Sequence, residues 1–592
     1  MKTPGAKTML KPIYSIFIYT AFCFLLPGLT MGSEKGALGT RIPSTTLTNT
    51  ENQKVNLFDF KDAKVLVLAF LGTNCPVANA YLPKLEQLSS KLHDSKVQFV
   101  GIYANSFDTL ERIKKHREEY KISFPTLMDH EQSSVGFLHV TRVGEVVVLD
   151  SRRVVRYQGR ISDQIGLDYR KDSATREDLQ EAISECLQNK KISIATTETI
   201  GCLITPNNRL ADNSITYHKD IAPILLNKCA ECHHPKTAAP FSLLNYEEAR
   251  GMGDMIAEVV RLRRMPPWHA DERYGKFHNE RRLSQEEIQK IQHWVKNGMP
   301  EGTSDANIKK TNFEDGWRIG TPDMVFKMPE VIKVPATGTV HYKYFATPTN
   351  FKEDMWLKAA EPRPGNRSVV HHIIVFYREP GKKMSPVWIA ATAPGADPMI
   401  LPDGMGRKIP AGAELVWQMH YTPNGKEETD QSEIGFVFCK EKPAQNVQTH
   451  GIANSIFMVP PFASNHEVTS RVPANRDSVI LAFFPHMHLR GKDFQYQAVY
   501  PDGKKEVLLS VPHYDFNWQN TYRLKEPIRI PKGTVIECVA HFDNSALNPA
   551  NPAPWKPVFW GEQTWNEMMI GYIDFYYENE PQQIIPFRKK AN

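Results

Sequence analysis

Apolar and polar positions change rhythm twice along the chain. Over residues 38–197 they alternate between strand and helix signatures. The unbroken apolar run Val65 to Leu71 predicts a strand covered on both faces, Leu82 to Leu92 spaces its apolar residues as a helix does, and Val97 to Tyr103 and Glu145 to Leu149 predict further strands. A charged helix over Ser173 to Gln188 completes an α/β series with a mostly buried sheet. Residues 198–213, where Pro206, Asn207 and Asn208 mark turns, read as a linker, and residues 214–302 read as an all-α unit. From residue 314 the runs become short and β-like: Val369 to Tyr377, Leu415 to Tyr421, Ser478 to Phe484, Thr534 to Phe542 and Met569 to Tyr577, parted by Pro, Gly and Asn clusters. That spacing predicts antiparallel sandwiches, with room for two, over residues 314–470 and 471–585.

Composition narrows the class. The 592 residues leave room for about four domains. With 41% hydrophobic and 23% charged residues the chain is neither disordered nor an integral membrane protein. Lys2, Lys7 and Lys11 carry half of the formal +6 charge, so the remainder is no nucleic-acid footprint. Those lysines precede an apolar stretch, Ile13 to Leu26, too short to span a bilayer comfortably, and small residues Thr30 and Gly32 stand at a cleavage position. Residues 1–32 are therefore expected to be a signal peptide, the mature protein periplasmic or secreted, with no membrane span after its removal. Cys23 follows Phe22, a poor residue for a lipoprotein site. The other seven cysteines are too sparse for a disulfide scaffold but fit an oxidising compartment.

Cys229-Ala-Glu-Cys232-His233 has the spacing that attaches haem through two thioethers while the histidine ligates iron. An electron-shuttling iron wants a sheltered sulfur as its sixth ligand, and Met265 in Arg264-Met265-Pro266-Pro267-Trp268 offers one on a proline-stiffened loop. Met252 and Met255 read instead as one face of a helix over Glu247 to Arg261. The stretch from His218 to Gly302 resembles the cytochrome c family, its closing Trp294-Val295, Gly298 and Pro300 being similar to that family's terminal helix. The resemblance implies one covalent haem c held by Cys229, Cys232, His233 and Met265.

The histidines of the last third fall in short motifs, His371-His372, Gln418-x-His420-Tyr421 and His486-Met487-His488. His-x-His on a strand puts both imidazoles on one face. Adjacent His371 and His372 would point to opposite faces, so their joint use needs a twist, bulge or strand end. A thioether follows in Asn566-Glu567-Met568-Met569, and imidazole with thioether suits copper better than zinc.

On these motifs, residues 320 to 580 resemble the copper type II ascorbate-dependent monooxygenases, the group of the peptidylglycine and dopamine hydroxylases. The resemblance implies two all-β, jelly-roll-like subdomains, each holding one of two coppers across a solvent-filled gap. His371, His372 and His420 fall on the electron-transfer copper. His486, His488 and Met568 fall where oxygen is activated, Tyr572 on the substrate pocket and Gln418 beside the first site. Phe484 replaces an arginine that clamps the substrate carboxylate in the peptidylglycine branch, and Ile570 an asparagine. A bidentate guanidinium is the usual grip on a carboxylate, so a peptide C-terminus is disfavoured as substrate. Cys439 and Cys538 stand at disulfide positions of the family, but Met569 takes the place of the partner of Cys538.

Gly72-Thr73-Asn74-Cys75-Pro76 lies between an apolar strand and a helix start, where the helix dipole favours thiolate. It resembles the thioredoxin-like and peroxiredoxin-related superfamily over residues 40 to 190, with Ala78 in place of the second cysteine of a Cys-x-x-Cys pair and Gly144 where thioredoxins place a cis-proline. Cys75 is a candidate catalytic or sensing thiol, with Cys202 rather than Cys186 its expected partner.

The expectation is a multidomain chain: signal peptide 1–32, α/β thioredoxin-like domain 38–197, linker 198–213, all-α cytochrome c domain 214–302, and copper subdomains 314–470 and 471–585. Its expected function is copper-dependent hydroxylation of a C–H bond of a small molecule with O2, with electrons supplied through the haem. Ascorbate or a cytochrome is the expected donor, and no nucleic acid is involved. The alternative is a non-catalytic copper-binding, redox-sensing or electron-transfer protein.

Overall fold

The computed structural model describes residues 37–578, apart from 106, 167–168, 172, 207–213, 236, 238, 304–315, 383–386 and 394–395. The expected signal peptide and the Asn207-Asn208 turn lie outside the described residues.

The sequence VLVLAFL of Val65–Leu71 is buried at every position. It sits inside a seven-stranded sheet, parallel to Val97–Tyr103 on one side and antiparallel to Val146–Asp150 on the other. A strand can be apolar throughout only when both faces are covered. Val65, Val67, Ala69 and Leu71 pack with Leu82 and Leu85 of the helix Pro76–Leu92 and Leu179 and Ile183 of the helix Asp178–Leu187. Leu66, Leu68 and Phe70 belong to the opposite core, which runs on into Ile221, Leu225, Ile256 and Trp294 of the helical region. The α/β domain and the helical unit thus share one apolar interior.

Four α-helices follow among the described residues of that unit: Ala222–Lys228, Tyr246–Gly251, Gly253–Arg261 and Gln285–Lys296. The single helix expected over Glu247 to Arg261 breaks at Met252, where close contacts require the flanking glycines. A Cβ on Gly251 would meet the Phe107 ring at 2.9 Å, and one on Gly253 the Met299 sulfur at 2.2 Å. The last helix opens with a capping box between Ser284 and Glu287.

The described part of the expected linker, residues 198–206, is more than a tether. Cys202, Ile204 and Thr205 are buried, and residues 200–205 form a strap along the α/β domain, with an antiparallel bridge between Leu203 and Arg142. The β-rich remainder forms two sandwiches. In the first, a sheet ordered Lys343–Pro348, Glu414–Tyr421, Val370–Arg378, Val387–Thr392 carries the first histidines. In the second, the sheet Gln448–Ala453, Ile570–Tyr577, Ser478–His486, Tyr522–Ile530 carries the others. Gln448–Ala453 pairs with Ile570–Tyr577, and His466–Pro473 with Val535–Phe542. Gln448–Ala453 precedes residue 471 and His466–Pro473 spans it, so the second sandwich begins upstream of the expected boundary. Strand partnership is a long-range property that local patterning does not encode.

Candidate functional site

In Glu414–Tyr421 the residues Leu415, Trp417, Met419 and Tyr421 fill the sandwich core, which turns Gln418 and His420 to the outer face. His372 pairs with His420 across the sheet, and the register shifts between Val370 and His372. That bulge brings His371 to the side of its neighbour. Candidate ligand atoms of His371, His372 and His420 all lie within 4.8 Å of one another, and the two Nδ1 atoms of His371 and His372 are 3.3 Å apart. His372 Nε2 and His420 Nδ1 are buried without a hydrogen-bond partner. Such orphans are uncommon in folded chains, and a bound metal ion would satisfy them. Burial holds the rings neutral: His371 titrates at about 4, while His372 and His420 are held well below the ordinary imidazole value.

The second cluster is built at a strand end. Ser478–His486 runs antiparallel to Ile570–Tyr577, with Phe484 opposite Tyr572 and His486 opposite Ile570. The same register continued by two residues would set Met568 opposite His488. Glu567, fully buried, accepts the backbone N–H groups of His488 at 2.9 Å and Arg490 at 2.7 Å, which fixes that turn. Burial raises its carboxyl to about 8. His486 Nδ1 donates to Gln519 Oε1 at 2.7 Å and His488 Nδ1 to the Asn566 carbonyl at 3.3 Å, leaving the Nε2 lone pair of each ring for a ligand.

Across the gap expected between the two clusters, one ring touches both. Phe516 stacks on His371 with centroids 5.7 Å apart and meets His488 edge-on at 5.9 Å. Beside His486, Phe484 stacks on Tyr572 at 5.7 Å, and Trp388 from the first sandwich packs on both at 5.6 and 5.1 Å. Gln418 donates to the Tyr344 hydroxyl at 2.7 Å. Sequence reasoning missed Phe516 and Gln519, lone residues in an irregular connection with no spacing signal. It also gave Glu567 no role, although its place beside Met568 was a usable sign.

A cavity of about 1980 Å³ has Cys229, Cys232, His233, Met265 and also His371 in its wall. His233 Nδ1 donates to the Phe241 carbonyl at 3.1 Å, so its Nε2 keeps a lone pair, the state an iron-ligating histidine needs. These residues fit a covalent haem. Met255 lines the same cavity, whereas Met252 is buried in the core. Beyond Met265, the Pro267 carbonyl accepts from Asn520 at 3.2 Å, next to Gln519, and Trp268 packs on Tyr522 of the second sandwich at 5.0 Å.

Cys75 is the N-cap of Pro76–Leu92 and is buried beside Cys202, whose backbone N–H points at its sulfur at 3.4 Å. The Cys202 hydrogen bond lowers the Cys75 thiol to about 7 against the opposing effect of burial. Cys186 packs in the core on the other face of the sheet. All seven described cysteines are free thiols.

Residues 38–162 match the AhpC/TSA family model, and residues 452–586 match the C-terminal domain of the copper type II ascorbate-dependent monooxygenases. His486, His488, Met568 and Tyr572 fall inside the second match, and His371, His372 and His420 precede it. The thiol-disulfide oxidoreductases ResA of Bacillus thuringiensis (strain Al Hakam) and Bacillus anthracis are each 26% identical over 141 residues, covering 24% of this chain and 76% of theirs. Among solved structures, a hypothetical protein from Sinorhizobium meliloti is 26% identical, covering 28% of this chain and 93% of its own, with a TM-score of 0.27. A conserved protein from Geobacillus kaustophilus is 25% identical over 28% of this chain and 90% of its own, with a TM-score of 0.26. The chain is thus multidomain, with an α/β thioredoxin-like N-terminal domain and a β-rich C-terminal region. Both matched domain types are oxidoreductase-like, and the second implies copper. Among the described residues no helix is long and apolar enough to cross a membrane.

Proposed function

We propose that the chain is an exported copper-dependent monooxygenase that hydroxylates a C–H bond of a small, uncharged or aromatic molecule with O2, drawing electrons through a c-type haem held by Cys229, Cys232, His233 and Met265. The observation that carries this reading is the grouping of His371, His372 and His420 close to His486 and His488, with the Phe516 ring in contact with both groups. Copper, when bound, supplies one-electron exchange at the first cluster and oxygen chemistry at the second. A haem held by Cys229, Cys232 and His233 would supply a one-electron relay, and those residues share a cavity wall with His371.

The protein's own part is positioning. Gln519 and the Asn566 carbonyl orient His486 and His488 and fix their tautomers, and the Met568 thioether favours the reduced metal. Phe484, Tyr572 and Trp388 pack together as an aromatic wall on the strands that carry His486. The export reading is supported by Lys2, Lys7 and Lys11 ahead of the apolar stretch Ile13 to Leu26 and by the haem-attachment spacing of Cys229, Cys232 and His233. The test is oxygen uptake by the copper-loaded chain with ascorbate and a panel of small C–H substrates, read together with a product mass gain of one oxygen. Copper bound at both clusters without substrate-dependent uptake would select the alternative, a non-catalytic copper-binding or electron-transfer protein.

A further inference from the structure

Cys202 is held over Cys75 by a built device. Val143 N–H donates to the Cys202 carbonyl at 2.8 Å and Ile204 N–H to the Thr141 carbonyl at 2.9 Å, while Arg142 Nη1 grips the Gly201 carbonyl at 2.8 Å. Gln132 Nε2 holds the Thr205 carbonyl at 2.6 Å. The approach is so close that a Cβ on Gly201 would lie 1.9 Å from the Val143 carbonyl oxygen. No second cysteine stands in the helix that Cys75 caps, since Ala78 occupies that turn. Gly201 and Cys202 form part of the wall of the large cavity, and Cys75 does not.

We propose that Cys75 and Cys202 form a reversible disulfide that exchanges with small thiols by attack at Cys202, with Cys75 as the leaving thiolate. An entering thiolate attacks Cys202 Sγ from the cavity, the Cys75–Cys202 bond breaks, and its electron pair goes to Cys75. That thiolate is received by the Cys202 N–H and by N–H groups at the start of Pro76–Leu92. A second thiolate attacks the entering sulfur, releasing a small disulfide and returning Cys202 to a thiol with a proton from the entering thiols. In balance, one protein disulfide and two small thiols give one protein dithiol and one small disulfide. The acidities agree with this polarity, because the lower thiol leaves more readily: hydrogen bonding to Cys75 and then burial raise Cys202, while Cys75 stands at about 7. This inference does not depend on the copper reading.

The test equilibrates the full chain in dithiothreitol redox buffers, quenches with acid, alkylates free thiols and maps peptides by mass spectrometry. Cys75 and Cys202 should convert together, with Cys186, Cys439 and Cys538 alkylated throughout. With glutathione disulfide, Cys202 in Cys75→Ser should form the mixed disulfide at least ten-fold faster than Cys75 in Cys202→Ser. If either variant fails to fold, the first glutathionylated residue of the wild type, trapped at short times, decides the polarity. Cys75 and Cys202 both alkylated in the most oxidising buffer would overturn the pairing, and first adduct formation at Cys75 would overturn the direction.

Discussion

His372 and His420 each bury a ring nitrogen that nothing in the described structure satisfies. Folding tolerates such a group only where another partner is supplied, because an unmade buried hydrogen bond costs about 1–3 kcal/mol. His420→Ala should therefore remove the first copper and leave the second in place, with metal analysis of the purified chain falling from two ions to one. Retention of both would move the first site elsewhere. Phe484 gives a residue-scale test of selectivity. It stacks on Tyr572 and packs at a tilt on Trp388, where the peptidylglycine enzymes that this region resembles carry a carboxylate clamp. Phe484→Arg should gain turnover of glycine-extended peptides without losing either copper, and equal turnover of such peptides by the wild type would refute the apolar-pocket argument. The clustering of the histidines was legible in the sequence because strand periodicity puts the two rings of a His-x-His on one face, and because the bulge that joint use of His371-His372 demands is the one found between Val370 and His372. Gln519 was not legible, since a lone amide in a connection gains meaning only when His486 is brought to it.

At the scale of elements, the strands of the α/β domain and the sandwiches were legible from apolar period, but the strap was not. Residues 200–205 lie on residues 141–143 through backbone hydrogen bonds, which leave little trace in side-chain pattern. Gly201→Ala should force that strap off, with a loss of about 1–3 kcal/mol in stability, the range for overpacking, and faster alkylation of Cys75. Thermal unfolding and thiol labelling on one preparation check both. A second element-scale contact titrates. His116 on the helix Leu110–Glu119 bonds Tyr103 Oη at 2.8 Å and Asn79 Oδ1 at 2.9 Å, tying that helix to the sheet and to the Cys75 helix. Burial lowers its imidazole from 6.5 to about 4. The unfolded chain therefore takes up the proton first, and stability that is complete above about pH 6.5 falls as pH drops towards 4, by up to about 3 kcal/mol. Asp108, raised by burial to about 6, acts in the opposite sense over part of that range, its contribution falling as pH rises from about 4 to 6. His116→Gln, which cannot titrate, should remove the acid-side loss attributable to His116. An unchanged pH profile of thermal unfolding would assign that loss to another group.

At the scale of the whole molecule, the order of an α/β domain, a helical unit and a β-rich region was legible because each stretch carries its own composition and period. How they fit together was not, because the shared core of the α/β and helical regions and the Arg142–Glu258 clasp at 2.6 Å join residues far apart in sequence. That packing sets the final prediction. The haem-type residues, Met265 and His371 share one cavity, and the loop after Met265 reaches Asn520, the neighbour of the residue that orients His486. Electrons should therefore pass within one chain. After rapid reduction of the haem in the copper-loaded protein, its reoxidation should be first-order with a rate independent of protein concentration, and a rate proportional to concentration would assign the transfer to encounters between molecules. Met265→Ala should abolish methionine ligation in the haem spectrum and lower the reduction potential, since a thioether favours the reduced iron. Copper content should stay unchanged, because Met265 touches neither histidine cluster in the contacts described. If spectrum and potential instead remain as in the wild type, Met265 is not a haem ligand, Met255 in the same cavity wall becomes the next residue to substitute, and the loop from Met265 to Trp268 serves to hold the second sandwich against the helical unit.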